Sequence, residues 1–125
     1  YNYNQRMGIF NPTLNRPDGS ISLTAINEPA AHVIITDSGA NPSTNADPTK
    51  WTPKKGSWLL DHSFSGNVNS ATNPDNAAPI PRHLDTTNVL YADGHVKSLR
   101  VEKFYRFPNA YSPCLDPAAT NKSCS

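Results

Sequence analysis

Arg82-His83-Leu84-Asp85-Thr86-Thr87-Asn88-Val89-Leu90-Tyr91-Ala92-Asp93-Gly94-His95-Val96-Lys97 is the stretch whose reading decides the fold, because a short apolar run enters an Asp-Gly step and another leaves it. Glycine reaches positive φ without a Cβ clash, so Asp93-Gly94 between Val89-Leu90-Tyr91 and Val96, with Leu99 and Val101 beyond, predicts two adjacent antiparallel strands. Two registers are open. A two-residue loop pairs Ala92 with His95 and Leu90 with Lys97, whereas a type I turn with Gly94 in the left-handed bulge position pairs Tyr91 with His95 and Leu90 with Val96. The second is favoured, since it sets two apolar residues together instead of placing Leu90 against a lysine.

The rest of the chain is polar in a particular way. Of 125 residues, 36% are hydrophobic but only 17% are charged, so the low mean hydropathy of -0.60 comes from Asn, Ser, Thr and Pro more than from ions. That composition predicts a loop-rich fold, and the length fits one domain over residues 1–125 with a single modest core. A formal charge of +1 supplies no field for a phosphate backbone, and no Lys/Arg stripe alternates with aromatics, so no nucleic-acid partner is expected. No apolar run approaches the roughly 18 residues that span a bilayer, and no signal peptide is visible, so the chain as written reads as soluble.

Residues 32–36 form a β-branched apolar run bounded by Pro29 and Gly39, which predicts a central strand. Ile21, Leu23 and Ile26 fit either a strand or one helical turn before Pro29, and Trp58-Leu59-Leu60 a short third strand. Residues 38–56 and 65–82 are rich in Pro, Asn, Ser and Thr and predict long surface loops. Phe104, Tyr105 and Phe107 supply aromatic area to pack back on the sheet. Cys114 and Cys124 flank a short polar segment, a pair suited to a disulfide in an oxidising compartment. No long helix is expected.

The spacing of His83, nine residues, then Asp93-Gly94 resembles the C-terminal signature of prepilin-type, processing-associated bacterial proteins related to type IV pilins and type II secretion pseudopilins. Tyr1-Asn2-Tyr3-Asn4 is similar to the Tyr/Asn-rich opening of that family's globular head. Glu28-Pro29-Ala30-Ala31-His32-Val33-Ile34-Ile35-Thr36-Asp37-Ser38 is similar to its Pro-led apolar strand ending in Asp-Ser. The resemblance covers residues 1–104. It implies a mainly β, α+β pilin-like head that lacks its N-terminal helix, with a small antiparallel sheet and long Pro/Asn-rich loops. It further implies a non-catalytic structural subunit that self-associates into an extracellular pilus or pseudopilus-like filament at the bacterial cell surface. Pilin heads often carry a C-terminal disulfide, which points the same way for Cys114 and Cys124. Family members begin with a basic leader and a long hydrophobic helix, whereas this sequence begins at Tyr1; contact with a membrane is expected only through such a helix.

Candidate chemistry is thin. A carboxylate orienting an imidazole is a common general-base arrangement, but His83 and Asp93 should lie at opposite ends of one strand, because five extended residues already span about 16 Å. The expected roles are structural: Asp93-Gly94 makes the turn, and His83 fixes the start of the strand through a hydrogen bond to backbone. Asp37, Asp61, His62, Asp93 and His95 could gather if the Thr36 and Ala92 ends of two strands coincided. No His-x-His, Cys-x-x-Cys or twelve-residue calcium loop supports a metal, and the calcium ligands of some major pseudopilins find no matching series here. No catalytic residue, metal or cofactor is therefore assigned. The alternative function is a surface carbohydrate-binding module, with Tyr1, Tyr3, Trp51 and Trp58 stacking on sugars among Asn side chains. Against it stands the large apolar area of tryptophan, which favours Trp58 in the core and Trp51 as a loop anchor. Asn121-Lys122-Ser123 is the one sequon with a permitted middle residue.

Overall fold

The computed structural model describes residues 2–4, 10–11, 16–17, 21–41, 45–53, 59–60, 77–81, 83–106 and 111–124, with backbone alone at 2–4, 10–11, 16–17, 38 and 59. Among these residues the strands in chain order are β1 (Asn2–Asn4), β2 (Phe10–Asn11), β3 (Arg16–Pro17), β4 (Val33–Thr36), β5 (Ser38–Ala40), β6 (Leu59–Leu60), β7 (Ala78–Pro79), β8 (Thr86–Tyr91) and β9 (Val96–Arg100). Five of them form one sheet in the order β6-β1-β4-β8-β9, antiparallel except for the β1–β6 pair. Two ribbons, β2–β3 and β5–β7, stand beside it. The helical elements among the described residues are single 3-10 turns, such as Leu23–Ala25 and Pro29–Ala31. The protein is thus mainly β, built from small antiparallel sheets.

The Val33–Thr36 run takes the centre of the sheet, as its β-branched composition predicts, but its burial does not alternate. Val33 and Thr36 are buried while Ile34 and Ile35 are only half-buried. A bulge explains this: Val33 pairs with Tyr91 and Ile35 with Leu90, so Ile34 is an extra residue on β4. One inserted residue resets the pleat, and Val33 and Thr36 reach the same face although three positions apart. Opposite them β8 alternates regularly, with Thr87, Val89 and Tyr91 buried and Asn88 exposed.

The β8–β9 hairpin adopts the bulged register. Leu90 faces Val96, the Gly94 amide donates to the Tyr91 carbonyl at 3.0 Å, and the Tyr91 amide donates to the His95 carbonyl at 3.0 Å. Gly94 has φ +95°, the left-handed bulge conformation. The paired apolar residues nonetheless lie on the outer face, where Val96 is 68% exposed. The covered face belongs instead to the row that β4 dictates, continued by Leu99 opposite Thr87.

Before β8 the chain reverses through a second tight turn. His83 and Thr86 exchange both backbone hydrogen bonds, at 3.1 and 3.0 Å, around Leu84 (φ +50°) and Asp85 (φ +66°). Two successive left-handed residues mark a type I′ turn, a geometry that favours Asn and Gly. Leu84 fills the first position although it is 97% exposed and gains no packing there.

The core joins Val33, Val89, Tyr91, Leu99, Val101 and Phe104 to Leu60, Trp51, Tyr105 and the Cys114–Leu115 segment. Phe104 and Tyr105 follow the 3-10 turn Val101–Lys103 and fold back as expected, contributing about 2–3 kcal/mol each through burial. The two loops expected to be structureless supply β5 and β7, whose pairing across distant segments leaves no local period to read. Of the loop expected over residues 65–82, residues 65–76 and 82 lie outside the described residues.

Nothing lies within 4 Å of a Cβ built on Gly94, so Gly94→Ala meets only the left-handed backbone cost and should destabilise by about 1–2 kcal/mol in urea titration. Leu84→Asn should raise stability by about 0.5–1 kcal/mol, because asparagine tolerates the same φ and no buried contact is lost.

Candidate functional site

The antiparallel β4–β8 pairing carries the end of β4 past Val89 to the start of β8, where the Asp37 amide donates to the Asn88 carbonyl at 3.2 Å. This brings Asp37 to His83, with the imidazole Nε2 3.7 Å from carboxylate Oδ2. Two residues singled out separately in the sequence therefore share one corner of the sheet. Asp37 Oδ2 is buried without a hydrogen bond among the described residues, while His83 is 59% exposed, so the imidazole is the corner's accessible face. The expected role of His83 changes accordingly. Its backbone, not its ring, anchors the strand start, together with a 2.5 Å hydrogen bond from the Thr86 hydroxyl to the His83 carbonyl.

Beneath the corner lie two buried hydroxyls. Thr36 Oγ1 and Thr87 Oγ1 are 2.9 Å apart, and each donates to the Asp37 carbonyl, at 3.0 and 2.9 Å. Two protons serve these three contacts, so at any moment one hydroxyl donates to the carbonyl and the other either joins it or donates to its neighbour. One carboxylate and one imidazole are too few to hold a metal, and among the described residues no group of three His, Cys, Asp or Glu could hold one.

Asp93 and Gly94 sit at the other end of β8, six strand residues or about 20 Å from the corner. Antiparallel pairing is the reason that Asp37 does not join Asp93 and His95; Asp61 and His62 lie outside the described residues. The Asp93 carboxylate accepts from the His95 amide at 3.2 Å and lies 2.5 Å from imidazole Nδ1. The His95 amide chiefly holds the Asp93 carboxyl below the usual carboxylate range, its ring adding to the effect. The His95 ring also stacks on Tyr91, with centroids 4.3 Å apart and planes 10° from parallel. These groups are spent on closing the turn.

Cys114 and Cys124 form a disulfide, with Cα atoms 5.9 Å apart. It folds the C-terminal segment back onto the turn end of the sheet, where the Tyr91 hydroxyl donates to the Cys124 carbonyl. There the structure buries two groups that sequence reasoning did not connect, His32 at 0% and Lys122 at 6% exposure. Lys122 Nζ donates to the Asn27 carbonyl and lies 3.2 Å from His32 Nδ1, while the Lys122 amide donates to Glu28 Oε2 at 2.8 Å. A lysine in a polar tail carries no local sign of burial; only the disulfide that returns the tail could have hinted at it.

Trp51 takes the anchoring role favoured for it. It is buried at 7% exposure, packs edge-on to Tyr105 with centroids 6.0 Å apart, and its indole donates to the Asn45 carbonyl at 2.7 Å. It is a core residue and loop anchor, not a stacking platform. Tyr1, the Tyr3 side chain and Trp58 lie outside the described residues. A cavity of about 180 Å³ opens beside Asp85 between Pro48, Pro81 and Arg100. Polar groups at its rim engage neighbours, Asp47 with Thr49 and Arg100 with Glu102.

Comparison with protein-family models, with curated proteins and with solved structures gives no match.

Burial orders the expected costs of mutation. Thr87→Val, which removes a buried hydroxyl from the cluster, should cost about 1–2 kcal/mol, whereas His83→Ala, which removes a half-exposed side-chain contact, should cost less than about 1 kcal/mol. Replacing Cys114 and Cys124 together by Ala should cost about 2–3 kcal/mol, through a freer unfolded chain in the chain-entropy picture. Urea unfolding of the three variants at pH 7 measures all of these.

Proposed function

We propose that this chain is the globular head of a pilin-like or pseudopilin-like subunit, a non-catalytic building block displayed outside the bacterial cytoplasm and assembled into a filament. The observation that carries the reading is the corner at Asp37 and His83. The Pro-led strand ending in Asp-Ser and the His, nine residues, Asp-Gly hairpin were each similar to one family, and they are adjacent strands joined by that pair. Two motifs that form a single structural unit support a shared origin more strongly than either motif alone. The mainly β sheet and the disulfide-bound tail are compatible with such a head.

The sheet also bears on how heads would meet. Among the described residues β9 is an edge strand, and Lys97 and Arg100 place charges along it, a common protection against run-on strand pairing. Assembly in this proposal therefore relies on contacts other than addition at β9. Negative-stain electron microscopy of the protein purified from its native surface tests the proposal. Filaments that bind antibody raised against residues 1–125 are expected; discrete monomers from the full-length, correctly processed protein would overturn it.

A further inference from the structure

The segment after the last 3-10 turn, Pro113–Leu115, is held as a strap across the turn that precedes β4. Its ties are specific: the Asn27 amide donates to the Pro117 carbonyl at 2.9 Å, Asn27 Nδ2 to the Ala118 carbonyl at 2.9 Å, and Arg106 to the Asn121 carbonyl at 2.8 Å. At the centre, Lys122 reaches into the protein and meets His32. The disulfide ties the two ends of the segment to each other, and both cysteines are buried in the core, so the intervening residues can lift as a loop while the ends stay in place.

The contact between the two buried cations-in-waiting has a definite protonation requirement. An ammonium has only donors, so it can bond Nδ1 of His32 only when that nitrogen carries a free lone pair. Protonation turns the acceptor into a second donor and places two positive charges 3.2 Å apart where water is excluded. We propose that His32 and Lys122 form an acid-opened latch, in which protonation of the imidazole lifts the strap while the disulfide keeps it tethered.

The surroundings agree with this direction. Burial first, and Lys122 second, lower the His32 pKa from 6.5 to about 4, with Asp116 opposing them. Burial likewise lowers the pKa of Lys122, against Glu28 and Asp116. Tyr91 and Tyr111, whose hydroxyls bond Cys124 and Asp116, are shifted upward and stay neutral throughout the acid range. Because the closed-state pKa lies below the open-state value, the closed strap is fully favoured above pH 6.5 and loses ground as pH falls toward 4. Opening should therefore grow about sixfold per pH unit between pH 6 and 4 and level off below.

Hydrogen exchange read by NMR on the oxidised protein tests this, with rates corrected for intrinsic pH dependence. Protection of the Lys122 amide should fall by roughly two orders of magnitude from pH 6.5 to 4 and level off below the midpoint of the His32 imidazole resonance. Amides of β8 should keep their protection, which separates strap release from global unfolding. In His32→Gln the amide oxygen accepts from Lys122 without titrating, and the pH response should vanish. A strap whose opening ignores pH, or an undiminished response in His32→Gln, overturns the proposal, the latter by assigning the effect to Glu28 and Asp116. Should His32→Gln not fold, a wild-type imidazole resonance that titrates near the ordinary 6.5 suffices to reject it, because the coupling requires a lowered closed-state value.

Discussion

The pairing of β4 with β8 is the constraint on which the other features depend. Val33, Ile35 and Thr36 of β4 pair with Tyr91, Leu90 and Val89 of β8 while Ile34 bulges out, and that single insertion decides which side chains face the core. It brings Val33 and Thr36 to one face, opposite Tyr91 and Val89. It also sets what happens beyond each end of the strand. At one end Asp37 meets His83, and at the other the Ala92 amide donates to the His32 carbonyl at 2.9 Å, holding His32 beneath the strap.

Polar groups buried along this pairing are satisfied in two different ways. The Thr36–Thr87–Asp37 cluster is neutral and self-contained, so it specifies the register without making it depend on pH. The His32–Lys122 contact is ionic and conditional, since it requires one partner uncharged. Stability and responsiveness are thus placed at opposite ends of the same strand. A leucine held left-handed and almost fully exposed at position 84 shows that backbone geometry at the His83 corner is imposed by the strands rather than by the turn residues themselves.

Motif residues and energetically important residues are not the same set. His83 is conspicuous in the sequence, yet its ring makes one half-exposed contact, with the Asp37 carboxylate; Thr87 is inconspicuous and buried in a hydrogen-bonded cluster. Trp51, which sequence reasoning favoured as a loop anchor over a sugar platform, is buried in the core. A family resemblance carried by spacing says where the chain turns. Burial says what each side chain contributes.

Local chemistry by itself determined the hairpin, because Asp-Gly between apolar runs has few alternatives at the level of backbone sterics, and Gly94 takes the positive φ that the bulge requires. It also determined the central position of the β-branched run and the candidate pairing of the two cysteines. Tertiary structure alone decided the bulge at Ile34, the strands β5 and β7, the meeting of Asp37 with His83 and the burial of Lys122. The reason is range: a turn is written in four consecutive residues, whereas register, burial and ion pairing depend on which distant segment arrives opposite, and no local periodicity encodes that.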